Sequence, residues 1–580
     1  MPKLALDRPF TYELPAGVEA GTGSLVSVPF HGRTVKGWVT GPAADVPSGR
    51  LLPVKAVRSP VRYFDLPLLE LFRWVGERYL APLGTVIERS HPPRVAGEDK
   101  KIGASPAVAD DTLDADAQAS AGSTVWHRPL PGHEAEDCAD AVAACLDEGR
   151  TAIVLVPEAE PLADTASRVL ERFGSRACAY LGGSPRLRYR RWLEIAAGRY
   201  QVVVGTRPAV FAPLRKPGLI WISREVHPGH REDRSPYYHV REVAAARAGI
   251  DGGTCVLSSL SPSAETAAGI AARTVAVRRP PRDVERATAP LVESTPPEAE
   301  DRSQRLGRLL REVRSAALIV SRGGYGVARV CRTCTRPAAC ATCRGPIVSE
   351  GGATRCRVCD AAGVCANCGG RSFGVERGGA ERIAEWAGHL AAAPVVLDGS
   401  ETLQSPATDR VLVGTAASIH DVGAPALDLV AILDPDRALA RAGVHAAEQA
   451  VATWMEAAAW ARPKSRGGRV LIQTRHPGHP AIQSLVRWDP MPFLRWELEH
   501  RTEAGFPAGH PVFRVAGDAS LPQELRATDP TTLLATDGPG EPATICLVVV
   551  APAALPGFRE TVLRLARAGV VSRVEAEPQL

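Results

Sequence analysis

Eight of the thirteen cysteines of this 580-residue chain lie between positions 331 and 368, as four Cys-x-x-Cys pairs: Cys331/Cys334, Cys340/Cys343, Cys356/Cys359 and Cys365/Cys368. A gap of two residues lets both thiolates of a pair face one tetrahedral ion at about 2.3 Å, and two pairs close a structural zinc site. Eight thiolates therefore predict two four-cysteine sites holding two zinc ions per chain. Disulfides are rare in a cytosolic chain, and four repeated pairs serve no thiol-exchange cycle. Gly345, Gly351, Gly352, Gly363, Gly369 and Gly370 supply the turns of a zinc ribbon. Cys138, Cys145, Cys178, Cys255 and Cys546 sit in apolar contexts and read as core residues.

A second chemistry is missing. A phosphate-cradling loop needs a Gly-Lys-Ser/Thr step, because the ammonium contacts the outer phosphates and the hydroxyl holds magnesium. The lysines are Lys3, Lys36, Lys55, Lys100, Lys101, Lys216 and Lys464, and none follows a glycine. The other basic residues are arginines in a text biased to Arg, Ala, Gly and Pro, so arginine abundance alone says little, and a net charge of +5 favours nucleic acid only faintly. Distribution says more. Residues 322–371 hold eight Arg against Glu350 and Asp360, and residues 1–97 hold twelve Lys and Arg against eight Asp and Glu.

These residues must be positioned by several domains, since a chain of this length predicts about three to five. A composition of 45% hydrophobic and 23% charged residues is that of a globular protein. No run approaches the roughly 18 apolar residues of a membrane helix, and the start MPKLALDRPF is no secretory signal, so a cytoplasmic protein is expected. Residues 1–97 predict a compact α+β module, with β-like runs at 10–12, 24–30 and 35–40. Its helix at 66–79 buries Leu68, Leu69, Leu71, Phe72 and Val75. Residues 98–122 read as a solvated linker.

Over 123–278, apolar runs at 151–156, 201–204, 218–222 and 255–257 alternate with helices at 161–173 and 239–248, the pattern of a doubly wound parallel sheet. Arg186, Arg188, Arg190 and Arg191 mark a basic helix, either a solvated face or a DNA contact. The Pro- and acid-rich residues 279–305 read as a connector. A second lobe over 306–330 and 372–487 has strands at 316–320, 394–397, 410–413, 427–433 and 469–473 and its longest helix at 445–461. The zinc insertion, 331–371, interrupts it. Residues 488–580 form a last α+β domain, with a strand at 545–550 and a helix at 558–568.

Longer stretches carry a resemblance. PFTYELPAGVEAGTGSLVSVPFHGR, LLPVKAV and LLELFRWVGERYLAPLGTVI stand in the N-terminal module, and IVLVPE, VVVGTRPAVFAPL, SPYYHVREVA and VLSSLSPSAET in the first lobe. SRGGYG precedes the cysteine pairs, and VGTAASIHD, AAEQAV and RVLIQTRHPGHPAI follow them. Together these segments resemble the bacterial PriA helicase family of primosomal replication-restart proteins over nearly the whole length. The resemblance implies a multidomain α/β fold: a module that holds the 3′ end of a nascent strand, two RecA-like lobes, a zinc insertion in the second, and a C-terminal domain. It also implies nested coordination, with Cys331, Cys334, Cys365 and Cys368 around one zinc and Cys340, Cys343, Cys356 and Cys359 around the other. In the 3′-end pocket Phe10 would stack a base and Lys55 pair a phosphate, while Thr11 stands in place of an aspartate and His31 in place of a glycine. The partners implied are DNA (forks, 3′ ends, single strands), single-stranded DNA-binding protein, and the replicative helicase or its loader; no membrane is involved.

The departures are concentrated in the ATP machinery. Glu134 and Ala135 occupy the lysine and threonine positions of the family's P-loop, and Ser223, Arg224, Glu225 and Val226 replace its Asp-Glu-Glu-His. Trp460 and Pro463 occupy its arginine-finger positions, with Arg462 displaced by one residue. Each loss should cost orders of magnitude in hydrolysis, so no catalytic residue is assigned and ATP is not expected as a cofactor. Residues 98–122 are also too few for the family's winged-helix domain. The leading expectation is a fork-binding protein that promotes assembly of the replication machinery without ATP-driven unwinding. An active 3′–5′ helicase and a zinc scaffold that does not bind DNA are the competing readings.

Overall fold

The computed structural model describes residues 4–43, 49–102, 122–297, 303–321, 329–334, 336, 338–345, 347–350, 353–356, 359–375, 380–397, 409–420, 423, 426–441, 443–526, 532–536 and 544–578. It divides into two compact units, one of Met1–Pro281, Ala442–Ala452 and Pro490–Leu580, the other of Arg282–Arg441 and Thr453–Asp489.

The first unit opens with β1 (Ser24–Phe30), β2 (Arg33–Trp38) and β3 (Ala56–Arg62), an antiparallel sheet in the order β2-β1-β3. Val26 and Val28 alternate toward Val54, while Leu25 faces the cluster that contains Leu68 and Phe72. His31 and Gly32 close the β1–β2 hairpin at φ +46° and +75°, a two-residue turn whose twist requires left-handed backbone at both positions. Helix α1 (Leu66–Arg78) is capped by the Asp65 carboxylate, which accepts from Leu68 N–H at 3.0 Å; it buries Leu68, Leu69, Leu71, Phe72 and Val75. The run at 10–12 belongs to no strand. After α2 (Leu83–Ser90) comes α3 (Ala96–Ile102), which corrects the linker expected from residue 98. Glu98 and Asp99 are buried because each gathers partners: Asp99 accepts from Ser59, Arg94 and Tyr189, and Glu98 from Arg186 and Arg190.

Next come β4 (Ser123–His127), α4 (Glu134–Asp147), β5 (Thr151–Leu155), α5 (Asp164–Phe173), β6 (Ala177–Tyr180), α6 (Pro185–Ala196), β7 (Val202–Gly205), β8 (Pro217–Ile222), α7 (Val240–Asp251), β9 (Thr254–Ser258), α8 (Ala264–Ala271) and β10 (Ala276–Arg278). The seven strands form a parallel sheet in the order β10-β4-β9-β8-β5-β7-β6. Ile220 and Ile222 fall in the core on one face and Leu219 and Trp221 in that on the other, so the strand is apolar throughout rather than alternating. On α6, Arg186 and Arg190 project one turn apart onto Glu98, so the basic run is partly spent inside the molecule.

The second unit begins with α9 (Arg282–Thr288) and β11 (Leu291–Thr295), which corrects the expectation of an irregular connector there. β11 pairs in register with β20 below, Leu291 with Arg469 through Thr295 with Gln473. Then follow α10 (Gln304–Glu312), β12 (Ala316–Ile319), the ribbon strands β13 (Arg329–Cys331), β14 (Ile347–Glu350), β15 (Ala353–Cys356) and β16 (Phe373–Val375), then α11 (Ala380–Gly388), β17 (Val395–Leu397), β18 (Val411–Gly414), β19 (Leu429–Leu433), α12 (Pro435–Leu439), α13 (Ala446–Ala458), β20 (Arg469–Gln473) and α14 (Pro480–Val486). The main sheet is parallel, β11-β20-β19-β12-β18-β17. Helix α13, with 13 residues, is the longest of these second-lobe helices among the described residues, as expected, and its residues up to Ala452 count with the first unit.

The remaining residues of the first unit form α15 (Met491–Glu503) and a four-stranded antiparallel sheet. The sheet holds β21 (Val512–Gly517), β22 (Thr532–Thr536), β23 (Thr544–Val549) and β24 (Val571–Ala576), with α16 (Leu521–Arg526) and α17 (Leu555–Arg567). Among the described residues no helix is long and apolar enough to cross a membrane.

Candidate functional site

The cysteine segment folds as a ribbon within a ribbon. β13 pairs with β16 at its base and β14 with β15 at its tip, and a bridge between Cys340 and Cys365 joins the two. The outer pairs bring Cys331, Cys334, Cys365 and Cys368 together, the inner pairs Cys340, Cys343, Cys356 and Cys359, each set with its sulfurs within 4.8 Å of one another. Cys331–Cys368 and Cys334–Cys365 are separated by 3.5 and 3.8 Å, Cys340–Cys359 and Cys343–Cys356 by 3.7 and 3.4 Å. A tetrahedron with metal–sulfur bonds of about 2.3 Å has edges of about 3.8 Å, whereas a disulfide bond is about 2.05 Å. The donor set therefore fits two metal ions. Thr342 N–H donates to Cys340 Sγ at 3.3 Å and Gly345 N–H to Cys343 Sγ at 3.4 Å, which favours thiolates. Arg344, Asp360 and Gly369, each following the second cysteine of a pair, all have left-handed φ. At Gly370 a Cβ would lie 3.1 Å from Cys331 Sγ and 3.2 Å from Cys368 Sγ, so the outer site requires glycine. The five other cysteines are buried and form no disulfide.

In a doubly wound sheet ligands bind in the crevice beyond the C-terminal ends of the strands, here those of the neighbours β4, β9 and β8. Residues 128–133 lead from β4 into α4, whose first turn carries Glu134, Glu136 and Asp137. A helix N-terminus attracts anions through its dipole and free N–H groups; here that positive end is already met by three carboxylates. Trp221 Nε1 donates to Glu134 Oε1 at 3.4 Å, and His127 Nε2 lies 2.9 Å from Asp137 Oδ2. Ala135 is buried beside them. The Ser223 carbonyl accepts from His230 Nε2 at 2.8 Å, and Arg224 is buried with φ +52°.

Glu225 is fully buried and holds structure instead of an ion. Its Oε2 lies 3.1 Å from Arg241 Nη1 and its Oε1 accepts from Ser263 N–H at 2.7 Å. Burial pushes its carboxyl above the ordinary range, against the pull of Arg241. The network continues from Arg241 to Glu265 at 3.1 Å and from Arg501 to Glu265, Glu448 and Glu497 at 3.4, 3.0 and 3.0 Å. Although burial pushes Glu265 up, His445, Arg241 and Arg501 hold it down at about 2. Glu265, His445 and Glu448 are close enough to ligate a metal, but two arginines already neutralise their carboxylates. Sequence reasoning missed this network. Its signal was one network member in each of SPYYHVREVA, VLSSLSPSAET and AAEQAV, namely Arg241, Glu265 and Glu448. In the second unit Trp460 is buried and donates to the His420 carbonyl at 3.3 Å, and Arg462 pairs with Asp428.

In the N-terminal module, Phe10 is 42% exposed, which sets aside a core role. It meets Phe30 edge-on at 5.1 Å, Phe30 meets His31 at 4.5 Å, and the Arg8 guanidinium lies 5.2 Å from the Phe10 ring. Thr11 is half-buried next to Phe10. Lys55 Nζ donates to Thr34 Oγ1 at 2.8 Å, one residue pair back from the His31-Gly32 turn. Phe30 and Arg8 were not singled out by sequence reasoning, though both lie within a step or two of residues that were.

An N-terminal α+β module, two parallel α/β sheets, a cysteine ribbon with two four-cysteine clusters and a C-terminal α+β sheet define a multidomain α/β protein. Residues 1–92 match the family model of the 3′DNA-binding domain (3′BD) of PriA. The chain is 32% identical to the probable replication restart protein PriA of Mycobacterium tuberculosis, over 91% of this chain and 88% of that protein. It is 31% identical to that of Mycobacterium leprae, over 91% and 89%, and 30% identical to the replication restart protein PriA of Treponema pallidum, over 87% and 83%. The chain belongs to the PriA family of replication restart proteins.

Proposed function

We propose that this protein acts in replication restart by binding forked and 3′-tailed DNA through residues 1–97 and helping to assemble the replication machinery there, without ATP-driven unwinding. The observation that carries the reading is the first turn of α4, where Glu134, Glu136 and Asp137 stand at the anion-binding end of the helix and Trp221 reaches Glu134. A polyphosphate entering that crevice meets carboxylates in place of an ammonium, and the one acidic side chain at the end of β8, Glu225, is engaged by Arg241. Transition-state charge on a γ-phosphate would be stabilised by neither cation nor metal. The lobes then serve as a scaffold for the DNA module and the ribbon, in which the two cysteine sets hold zinc and fix the fold. Within the end site Phe10 stacks a base and Lys55 meets a phosphate, with Thr11 and His31 beside them. The domain limits proposed are 1–102, ending with α3, 123–278, 282–330 with 372–487, beginning with α9, 331–371 and 488–580. Single-stranded DNA-binding protein and the replicative helicase or its loader are the protein partners of this reading. Steady-state ATP hydrolysis with forked DNA tests it: no stimulated turnover is expected, and a DNA-dependent turnover abolished by Glu225→Gln overturns it.

A further inference from the structure

The β1–β2 hairpin carries charge of one sign, Arg33 and Lys36 with no Asp or Glu between residues 24 and 38. Arg8, Arg33, Lys36 and Lys55 are exposed, and among the described residues none of them forms an ion pair. The ring contacts from Arg8 through Phe10 and Phe30 to His31 gather a guanidinium, two phenyl rings and an imidazole at the hairpin end, with the Lys55 ammonium one residue pair behind. An exposed ring of this kind stacks a base, and a terminal base presents the 3′ substituent of its sugar to the side chains around it. A free 3′-hydroxyl is neutral and is selected by an acceptor such as a carboxylate. A terminal phosphate adds negative charge and three acceptor oxygens, and is selected by guanidinium, ammonium and ring N–H donors. No carboxylate side chain contacts Arg8, Phe10, Phe30, His31 or Lys55 among the described residues.

We infer that the hairpin site prefers a strand ending in a 3′-phosphate over one ending in a 3′-hydroxyl, an inference that rests on the proposed 3′-end reading. The site thereby accepts ends left blocked to extension.

The test is fluorescence anisotropy of the full-length protein with single-stranded tails that differ only at the terminus. The 3′-phosphate tail should bind about two- to five-fold tighter than the 3′-hydroxyl tail, the gain of one partly exposed charge contact. Arg8→Ala should remove that difference, and His31→Gly, which suits the left-handed turn, should reduce it. A 5′-phosphate adds the same charge at the other end and should give no gain. Equal or tighter binding of the hydroxyl tail, or an equal gain from the 5′-phosphate, overturns the inference while leaving 3′-end binding in place. Equal binding of 3′- and 5′-tailed DNA, with Phe10→Ala silent, removes the end site itself and the inference with it.

Discussion

Glu225 Oε2 and Arg241 Nη1 lie 3.1 Å apart, with the carboxylate fully buried. That pair gives the one carboxylate of the segment Ser223-Arg224-Glu225-Val226 a structural role. Removing one member of a buried ion pair costs about 3 kcal/mol or more, because it strands the other. Glu225→Ala should therefore lower the melting temperature by several degrees and leave DNA affinity unchanged. Calorimetry and anisotropy on the same variant check both halves, and an unaltered melting temperature would remove the structural role.

The two cysteine sets should be separable. Elemental analysis is expected to find two zinc ions per chain. Cys340→Ala should release the inner ion and leave the outer site partly filled. Gly370→Ala should do the reverse, since its Cβ would press on Cys331 and Cys368. Fewer than one zinc in the wild-type chain would contradict the assignment.

The cysteine ribbon was legible because its candidate ligands are local, four spaced pairs within one short segment. Helix α1 was legible for the same reason, its buried face being written in Leu68, Leu69, Leu71, Phe72 and Val75. What escaped depends on distant partners. Glu98 and Asp99 read as solvated acids until Arg186, Arg190 and Tyr189 arrive from about ninety residues away in sequence. β11 fell within the expected connector because as an edge strand it is only partly buried, and its pairing with β20 makes it a strand. Arg241, Glu265, Glu448 and Arg501 share no sequence spacing that marks them as one network.

The DNA module should show counterion release. Log affinity for 3′-tailed DNA should fall linearly with log salt, and Lys55→Ala should reduce the slope by about 0.7 to 0.9 if its ammonium meets one phosphate. Phe10→Ala should weaken binding by roughly 1–3 kcal/mol of lost stacking with little change of slope. A salt series on both variants separates the two roles.

His230 should make the protein acid-sensitive. Burial, with Arg224, Arg207 and His227 nearby, depresses its pKa to about 3, although its bond to the Ser223 carbonyl opposes the shift. The unfolded chain takes up this proton near pH 6.5 and the folded chain does not. Stability from this residue is thus fully present above pH 6.5 and falls, by up to about 1.4 kcal/mol per pH unit, as the pH drops toward 3. His230→Gln, which can still donate to Ser223, should flatten denaturation curves over that window, and an unchanged slope would assign the acid sensitivity elsewhere.

DNA binding should be uncoupled from nucleotide. Affinity of the full-length protein for a 3′-tailed fork, titrated with and without magnesium and ATP at constant ionic strength, tests it most directly. Superimposable curves are expected, since the first turn of α4 presents carboxylates to the phosphates. An ATP-dependent shift of about ten-fold, worth about 1.4 kcal/mol of coupling, would contradict it.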